Sequence, residues 1–347
     1  MSFDAAREVS ASISVNMLTA ADFTRDGAVD LAVGNDDGDF AILLGGGNGR
    51  FAELGHAASN PIRTLIAADF NGDTATDLAL FTRTIDIYYG NGTGNLVAAL
   101  SANFDTVAAQ PVDFNRDGAV DLAAVGGGSL TTQGVAAALF SSPSELPTAR
   151  AYPVNLPTAV TVADFNGDGL FDIAVGDSSQ STRRVVILKA VGGAAWQQGE
   201  IYTLGAGEIR ALAVGDFAGD RGLDLAVTGE AGKVDVLIGR GDATFTVGES
   251  YTSDPDGGTA IQLIAADLNR GGLADLVVLS RGTNGQGTLT VLPRRPDSGF
   301  LAPVVLGRSE VGQATIESMA VFDANNDGRP DVALAGGSKI ALFLNKL

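Results

Sequence analysis

An acidic nine-residue segment recurs seven times along the 347-residue chain, and this repetition constrains the fold more than any other feature. Successive copies begin 44 to 56 residues apart. A period of about 50 residues is the length of a four-stranded propeller blade. The copies occupy residues 22–30, 69–77, 113–121, 164–172, 216–224, 267–275 and 323–331. We name each loop by its first residue and number its positions 1 to 9.

The residue types in each copy are those of a turn that can chelate a hard cation. Oxygen-bearing side chains at positions 1, 3, 5 and 9 and a main-chain carbonyl at position 7 can converge on one ion, and glycine at position 6 permits the sharp turn. An EF-hand begins in the same way but needs a bidentate glutamate at position 12. The first four copies carry Val33, Leu80, Ala124 and Val175 there. The pattern therefore predicts calcium loops that are not EF-hands.

The seven copies differ in how many donors they keep. Loops 22, 113, 164 and 323 keep an oxygen donor at every ligand position and predict four Ca²⁺ sites. A fifth and a sixth site are possible in loop 69, where Thr74 replaces the glycine, and in loop 216, where Ala218 removes one ligand. An acidic turn without an ion is the alternative for loop 216, and more so for loop 267, where Gly271 replaces a carboxylate.

The predicted metal ligands belong to six loops, and the residues at position 7 act through their carbonyl oxygens. They are Asp22, Thr24, Asp26, Ala28 and Asp30; Asp69, Asn71, Asp73, Ala75 and Asp77; Asp113, Asn115, Asp117, Ala119 and Asp121; Asp164, Asn166, Asp168, Leu170 and Asp172; Asp216, Asp220 and Asp224; and Asp323, Asn325, Asp327, Arg329 and Asp331.

Short apolar runs flank every loop and predict strands. One run leads into the loop, a second leaves it, a third follows, and a glycine-rich turn opens a fourth near Phe51, Leu96, Phe245 or Phe300. The expected fold is all-β: a seven-bladed β-propeller of four-stranded antiparallel blades, forming one domain over residues 1–347. The predicted blades cover residues 16–57, 62–106, 107–154, 157–204, 207–253, 258–306 and 312–347 with 2–9.

The two ends of the sequence predict how the ring closes. The last repeat ends after its third strand, and residues 2–9 resemble a fourth strand with no blade of its own. The N-terminal strand is therefore expected to complete the last blade, which leaves the ring of sheets without a loose end.

The repeat unit around residues 163–176 resembles the FG-GAP/VCBS repeat family, whose repeats form the propeller of integrin α-subunits and of many bacterial extracellular proteins. The resemblance covers nearly the whole chain. It implies that the calcium loops join the first and second strands of each blade on one face of the disc, and that a ligand binds the opposite face. On that face the longest loops between second and third strands are 125–134, 176–184 and 280–288. The leg domains and transmembrane segment of integrins are absent from this sequence, so receptor function does not carry over.

Composition limits the possible partners. The formal net charge is −19, and 20 of the 41 acidic residues lie at loop positions 1, 5 and 9, so much of the acidity belongs to the metal loops. No basic stripe is visible, which argues against nucleic acid. The chain has no cysteine, no N-terminal signal and no apolar run long enough to span a membrane. An extracellular, cell-surface or periplasmic location is expected, because weak calcium loops need nearly millimolar calcium. A bacterial source is also expected, with a targeting segment that has been removed.

The sequence shows little catalytic chemistry, and a non-enzymatic protein is expected. His56 is the only histidine, and no Gly-x-Ser-x-Gly turn is present. The pairs Arg183–Arg184 and Arg294–Arg295 could grip a carboxylate or sulfate, although solvated loop charges are the simpler interpretation.

Two binding functions remain. The first is a calcium-stabilised adhesion or recognition module that is a monomer and binds a protein on the face opposite the calcium loops. The second is a carbohydrate-binding propeller, lectin-like or accessory to a polysaccharide-active enzyme. A repeated lectin should carry an aromatic platform in every blade, but Trp196 is the only tryptophan. Tyr152, Tyr202 and Tyr251 recur near the ends of three fourth strands, where packing is the simpler explanation.

Overall fold

The computed structural model describes residues 2–58, 60–128, 131–139, 148–192, 195–228, 232–282, 287–295, 299–308, 316–337 and 339–346. Within these ranges the chain forms seven four-stranded antiparallel sheets and one two-stranded sheet. The described residues contain no α-helix, and a single 3₁₀ turn spans Ser179–Ser181.

Each four-stranded sheet is formed largely by consecutive strands, numbered here in chain order. Sheet 1 contains β2 (Met17–Ala21), β3 (Asp30–Gly34), β4 (Asp39–Gly45) and β5 (Phe51–Ala58). Sheet 2 contains β6 (Thr64–Ala68), β7 (Asp77–Phe81), β8 (Thr84–Gly90) and β9 (Leu96–Asn103). Sheet 3 contains β10 (Asp105–Val112), β11 (Asp121–Gly128), β12 (Thr131–Leu139) and β13 (Thr148–Tyr152). Sheet 4 contains β14 (Pro157–Ala163), β15 (Asp172–Asp177), β16 (Thr182–Gly192) and β17 (Ala195–Ala206).

The remaining sheets follow the same order, with two exceptions described below. Sheet 5 contains β18 (Leu212–Gly215), β19 (Asp224–Thr228), β20 (Lys233–Gly239) and β21 (Phe245–Thr252). Sheet 6 contains β22 (Thr259–Ala266), β23 (Asp275–Arg281), β24 (Gly287–Leu292) and β27 (Val304–Arg308), and the two-stranded sheet contains β25 (Arg294–Arg295) and β26 (Gly299–Phe300). Sheet 7 contains β28 (Ile316–Phe322), β29 (Asp331–Gly336), β30 (Lys339–Phe343) and β1 (Arg7–Ser10).

The second strand of each sheet forms the packed core. All residues of β3, β7 and β19 are buried, because neighbouring sheets cover both faces. This explains why these strands read as continuous apolar runs rather than as an alternating pattern. Apolar clusters span neighbouring sheets, as where Ala174 and Val185 of sheet 4 pack with Leu225 and Val227 of sheet 5.

The first strands line a central channel. Successive first strands contact one another around the molecule, from β2 through β6, β10, β14, β18 and β22 to β28, which contacts β2 again. The channel has a volume of about 530 Å³ and is lined by residues from all of these strands. The arrangement is a closed ring of sheets, which is the architecture of a β-propeller.

The N-terminal strand β1 lies on the outer edge of sheet 7. It pairs antiparallel with β30, with Val9 opposite Ile340. Phe3 forms a further bridge with Asn345, and the amide of Asp4 donates to the carbonyl of Leu344 over 2.8 Å. Sheet 7 is therefore built from both ends of the described chain.

The fold-class prediction, a ring made only of four-stranded blades, is wrong as stated. The sixth repeat adds a two-stranded sheet in which Arg294 pairs with Phe300, and its fourth strand is Val304–Arg308 rather than a strand that opens near Phe300. The physical reason is local anchoring. The Arg294 amide donates to the Asp275 carboxylate over 2.6 Å, and the Arg294 guanidinium lies over the Phe300 ring, so this segment folds back before the fourth strand begins.

Candidate metal centre

Each acidic loop joins the first strand of its sheet to the second. In every repeat the position-9 aspartate is the first residue of the second strand, as Asp30 is of β3 and Asp172 is of β15. Because the first strands run in the same direction around the ring, the loops gather on one face of the propeller. This is the placement that the family resemblance implied.

All seven loops share one backbone conformation. Positions 4 and 6 have positive φ angles in every copy, the region that glycine adopts at least cost. The position-4 residues are Arg25, Gly72, Arg116, Gly167, Gly219, Arg270 and Asn326, and the position-6 residues are Gly27, Thr74, Gly118, Gly169, Arg221, Gly272 and Gly328. The strain expected at Thr74 is real, with φ at 70°, yet the turn forms as in the other loops.

The position-1 aspartate closes each loop by accepting the amide of position 6. Gly169 donates to Asp164 Oδ2 over 2.7 Å, and Arg221 donates to Asp216 Oδ2 over 3.0 Å. The same bond reaches the remaining position-1 residues, Asp22, Asp69, Asp113, Asp267 and Asp323. At Asp22, burial opposes ionisation, but the amides of Gly27, Arg25 and Thr24 outweigh it and lower the pKa.

Positions 3, 5 and 7 form a second set of bonds. The amide at position 7 donates to the position-5 carboxylate, as from Leu170 to Asp168 over 2.8 Å. This bond recurs from Ala28 to Asp26, Ala75 to Asp73, Ala119 to Asp117, Gly222 to Asp220 and Arg329 to Asp327. At position 3, Asn71, Asn166 and Asn325 donate to the position-5 carboxylate, Asn115 accepts the Asp117 amide, and Thr24 donates to Asp22.

The position-9 aspartate is the buried anchor of each loop, with no exposed surface in any copy. One carboxylate oxygen accepts the amide of position 2, and in six copies the second accepts an amide at or near the end of the third strand. For Asp30 these donors are Phe23 at 2.9 Å and Gly45 at 2.8 Å. The position-2 bond recurs at Asp77, Asp121, Asp172, Asp224, Asp275 and Asp331.

Burial makes these carboxylates hard to ionise. Desolvation, reinforced by nearby carboxylates of the same loop, raises the pKa of Asp77, Asp275 and Asp331 to about 6. The pKa values of Asp30, Asp172 and Asp224 are raised for the same reasons. In these six loops the charged form of the position-9 carboxylate is therefore less favourable than in water, despite the amides that donate to it.

The donor set fits a hard divalent cation in its chemistry. Each of the six predicted loops offers carboxylate and carbonyl oxygens within one short turn. Burial, with a smaller contribution from neighbouring carboxylates, raises the pKa values of the position-9 residues, and a bound cation would stabilise their charged form. Among the described residues, however, no group of three or more His, Cys, Asp or Glu side chains is arranged to hold a metal ion. The predicted ligands are brought to one turn in each loop, and calcium binding stays a prediction.

Loop 267 differs in the way that its sequence indicates. Position 5 is Gly271, and the Asn269 amide instead contacts the anchor carboxylate, with Nδ2 lying 2.8 and 3.0 Å from the two oxygens of Asp275. The loop keeps the shared conformation without a position-5 carboxylate, so internal hydrogen bonds are sufficient to specify it.

Both interpretations of the arginine pairs, anion site and solvated charge, are wrong for Arg183 and Arg294. Arg183 is 9% exposed and bonds Asp235 of sheet 5 over 2.5 Å and the carbonyl of Leu204 over 2.8 Å. Arg184 pairs with the buried Asp177. Arg294 donates to the Phe217 carbonyl of loop 216. These guanidinium groups join neighbouring segments and are not free to receive an anion. The His56 side chain and the loop residues 129–130 and 283–286 lie outside the described part of the structure.

The recurring tyrosines connect neighbouring sheets, as the packing interpretation predicted. The hydroxyl of Tyr202 in sheet 4 accepts the Phe245 amide of sheet 5 over 2.7 Å, and the Tyr152 hydroxyl accepts the Trp196 amide over 3.0 Å. Each ring meets its partner edge to face. Burial and the Glu200 carboxylate raise the pKa of Tyr202 to about 12.

Sequence reasoning missed the arginines at position 4. Arg25 Nη2 donates to the Asp73 carbonyl of the next loop over 2.9 Å, and Arg270 reaches the Gly328 carbonyl of loop 323. The signal was present in the sequence, because arginine stands at a position where three other copies have glycine.

Sequence comparison identifies the repeats. A model of the FG-GAP-like repeat matches residues 22–80 and 216–278, and a model of the FG-GAP repeat matches residues 156–186. No curated protein sequence matches the chain significantly. None of the described segments is a helix long and apolar enough to cross a membrane.

Solved structures share the fold at low sequence identity. The crystal structure of BBS1N in complex with ARL6DN, soaked with lead, is 11% identical and has a TM-score of 0.69, and the match covers 99% of this chain and 97% of that one. Raptor from Chaetomium thermophilum is 13% identical, with a TM-score of 0.66 and coverage of 99% and 29%. Sqt1 from Saccharomyces cerevisiae is 11% identical, with a TM-score of 0.63 and full coverage of both chains. At these identities the likeness shows the fold alone. The matches to both repeat models, together with the repeated acidic loops, show that the chain is a β-propeller that contains FG-GAP repeats.

Proposed function

We propose that the chain is a calcium-stabilised, extracellular binding module that holds a protein partner on the face opposite the acidic loops. The observation that supports the proposal most is the difference between the loops on the two faces. One face repeats the same loop seven times, whereas the other face differs in every sheet. A rigid repeat scaffold with variable loops is a common way to build a binding surface.

The acidic face supports the stabilising role of calcium. Asp164, Asn166, Asp168, the Leu170 carbonyl and Asp172 represent the donors that would hold one ion, and the corresponding residues would do so in the other predicted loops. Calcium, when bound, supplies the positive charge that these buried carboxylates lack. Each loop lies between a first and a second strand, so ordering the loop stabilises the strands beside the channel.

The opposite face offers an apolar centre with charged surroundings. Val107 is the bulged residue of β10, since the register shifts between Thr106 and Ala108, and it is 59% exposed at the channel lining. Arg63, paired with Asp105, and Arg210, paired with Glu208, line the same channel. A bulge re-aims a side chain at the end of a strand, and an apolar anchor inside a polar rim is the usual composition of a protein interface.

A structural neighbour is consistent with this use of the fold. BBS1N, which covers nearly the whole of this propeller, was crystallised in complex with ARL6DN. The similarity supports a protein-binding role for the scaffold and leaves the partner of this chain to be found. We propose a non-enzymatic protein that is monomeric and bacterial, binds no nucleic acid, and works at the cell surface, in the periplasm or outside the cell.

Affinity measurement on matched variants tests the proposed face. Val107→Glu places a charge at the centre of the face, and Val247→Glu, at a 52% exposed residue of the outer strand β21, is the control. A partner is first purified by capture on the wild-type protein, and its dissociation constant is then measured for all three proteins. We expect Val107→Glu to weaken binding at least about tenfold and Val247→Glu to leave it unchanged. Equal affinities for the three proteins would place the site elsewhere.

The carbohydrate alternative gains no observation in its favour from the described aromatic residues. Trp196 is 6% exposed and donates its indole N–H to the Phe171 carbonyl over 2.8 Å, so its ring is part of the packing between sheets. A glycan array with the wild-type protein tests this alternative directly. Glycan binding that survives Val107→Glu, with no protein captured, would replace the proposed function.

A further inference from the structure

Three loops carry arginine at a backbone position that favours glycine. Arg25, Arg116 and Arg270 stand at position 4 with φ angles of 60°, 60° and 55°. Loops 69, 164 and 216 have glycine at the same position. A left-handed conformation costs a residue with a side chain about 1–2 kcal/mol. The arginines therefore occupy these positions against backbone preference, and residues held in such conformations cluster at functional sites.

Each of these side chains extends to the next acidic loop around the ring. Arg25 Nη2 bonds the Asp73 carbonyl over 2.9 Å and lies 3.6 Å from Asp73 Oδ1. Arg270 Nη2 donates to the Gly328 carbonyl and lies 3.5 Å from the Asp327 carbonyl. The Arg116 guanidinium lies beside Gly169, where an added Cβ would be 3.0 Å from its Nη2. The contacts fall on position 5 of loop 69, on position 6 of loop 164 and on both positions of loop 323.

The contacts divide six of the loops into ordered pairs. Loops 22, 113 and 267 supply an arginine, and loops 69, 164 and 323 receive it. All three receiving loops belong to the predicted calcium set, and loop 267, which lacks a position-5 carboxylate, still supplies an arginine. A loop can therefore carry the position-4 arginine even when its own set of metal ligands is incomplete.

We propose that Arg25, Arg116 and Arg270 are resident cations that latch neighbouring loops together without calcium and lower the calcium affinity of the loop they reach. The affinity part rests on the proposed function, whereas the latch part does not. The Arg25 guanidinium lies 3.6 Å from the position-5 carboxylate of loop 69, where it satisfies some of that charge and repels an incoming divalent ion. Arg116 and Arg270 bring a positive charge to the same turn of the loops that they reach. For a half-exposed pair at this range, removing the arginine should raise calcium affinity about three- to tenfold.

Glycine substitutions test the proposal with a matched control. Arg25→Gly and Arg270→Gly remove a latch and also relieve the left-handed backbone. Arg221→Gly relieves a left-handed arginine with φ of 67°, whose side chain makes no bond to another loop within the described residues. The assays are the melting temperature in excess chelator and the calcium affinity by competition with a chromophoric chelator.

We expect Arg25→Gly and Arg270→Gly to melt below Arg221→Gly in chelator and to gain one class of tighter calcium site. Melting and calcium affinities equal to those of Arg221→Gly would overturn the proposal. If the wild-type protein binds no calcium, the proposed function fails at that point, and the melts in chelator still decide whether the latch exists. If it binds calcium but the variants match the control, the latch alone is refuted.

Discussion

Calcium should contribute more to stability through loop 164 than through loop 216, and one substitution in each loop isolates the difference. Asp168 and Asp220 both stand at position 5, and each accepts the position-7 amide over 2.8 Å. Replacing either by asparagine keeps an oxygen acceptor for that amide and removes one negative charge. The two changes therefore match in the hydrogen bond that they preserve. They differ in the metal site, because loop 216 has Ala218 where loop 164 has Asn166.

The expected magnitude follows from binding linkage. A site whose dissociation constant is one tenth of the free calcium concentration adds about 1.4 kcal/mol to the free energy of unfolding. Four such sites add about 5–6 kcal/mol, comparable to the net stability of a typical domain, about 5–15 kcal/mol. For a domain of this size about 1 kcal/mol shifts the melting temperature by about 2 °C. Asp168→Asn should then lower it by about 2–3 °C in calcium, and chelation of the wild type should lower it by about 10 °C.

Differential scanning calorimetry in millimolar calcium and in excess chelator measures these shifts. Asp220→Asn should melt close to the wild type in both conditions. Asp168→Asn should differ from the wild type more in calcium than in chelator, where it weakens only the Asn166 side-chain bond to position 5. A wild-type melt that is unchanged by chelator would refute the assignment of the loops as calcium sites. Equal losses for the two variants in calcium would refute the reasoning that an incomplete donor set weakens loop 216.

Three further predictions follow from other parts of the molecule. In chelator, the melting temperature should rise as the pH falls from 7 to 5. The pKa values of Asp77, Asp275 and Asp331 are about 6 in the folded protein and about 4 in the unfolded chain, so the stability that protonation of these groups contributes is present at low pH and is lost as the pH rises through 6. A melting temperature that falls steadily as the pH is lowered over that range would contradict this prediction. Deleting residues 1–10 should expose the edge of β30 and cause aggregation measurable by light scattering, whereas an unchanged melt and a monodisperse sample would show that β1 contributes nothing. Tyr202→Phe should keep the ring contact with Phe245 but leave the Phe245 amide without its acceptor. The free energy of unfolding, measured by chemical denaturation, should fall by about 1–3 kcal/mol. A variant as stable as the wild type would show that this hydrogen bond does not stabilise the contact between sheets 4 and 5.

The sequence was informative where structure is specified locally. The acidic loops, the strands that flank them and the N-terminal strand on sheet 7 follow from repeated short patterns, since each loop is closed by its own hydrogen bonds. Position 9 reads as a ligand in the sequence, and the structure shows that it is also the buried anchor of each turn.

The features that the sequence did not predict depend on contacts between repeats. The burial of Arg183 is set by Asp235 and by carbonyl groups of the adjoining segments, 21 to 52 residues away. The short hairpin of the sixth repeat depends on Arg294 reaching loop 216. Neither contact leaves a periodic pattern, because one residue in one repeat makes it. The position-4 arginines do form a pattern in the sequence, but only the structure shows that their side chains reach the next loop.

The pairing of β1 with β30 sets an order of events during synthesis. Ser10 lies opposite Lys339, so β1 must wait while more than 300 further residues are translated, which takes about 15–70 s at ordinary rates. Only Val9 of this strand is buried in the finished protein, and Arg7, Glu8 and Ser10 are exposed. A strand with one apolar contact and two charges can stay hydrated beside the ribosome without recruiting other nascent chains. The low apolar content of β1 makes it a weak strand in isolation. It also suits a strand that is synthesised long before it can pair with β30.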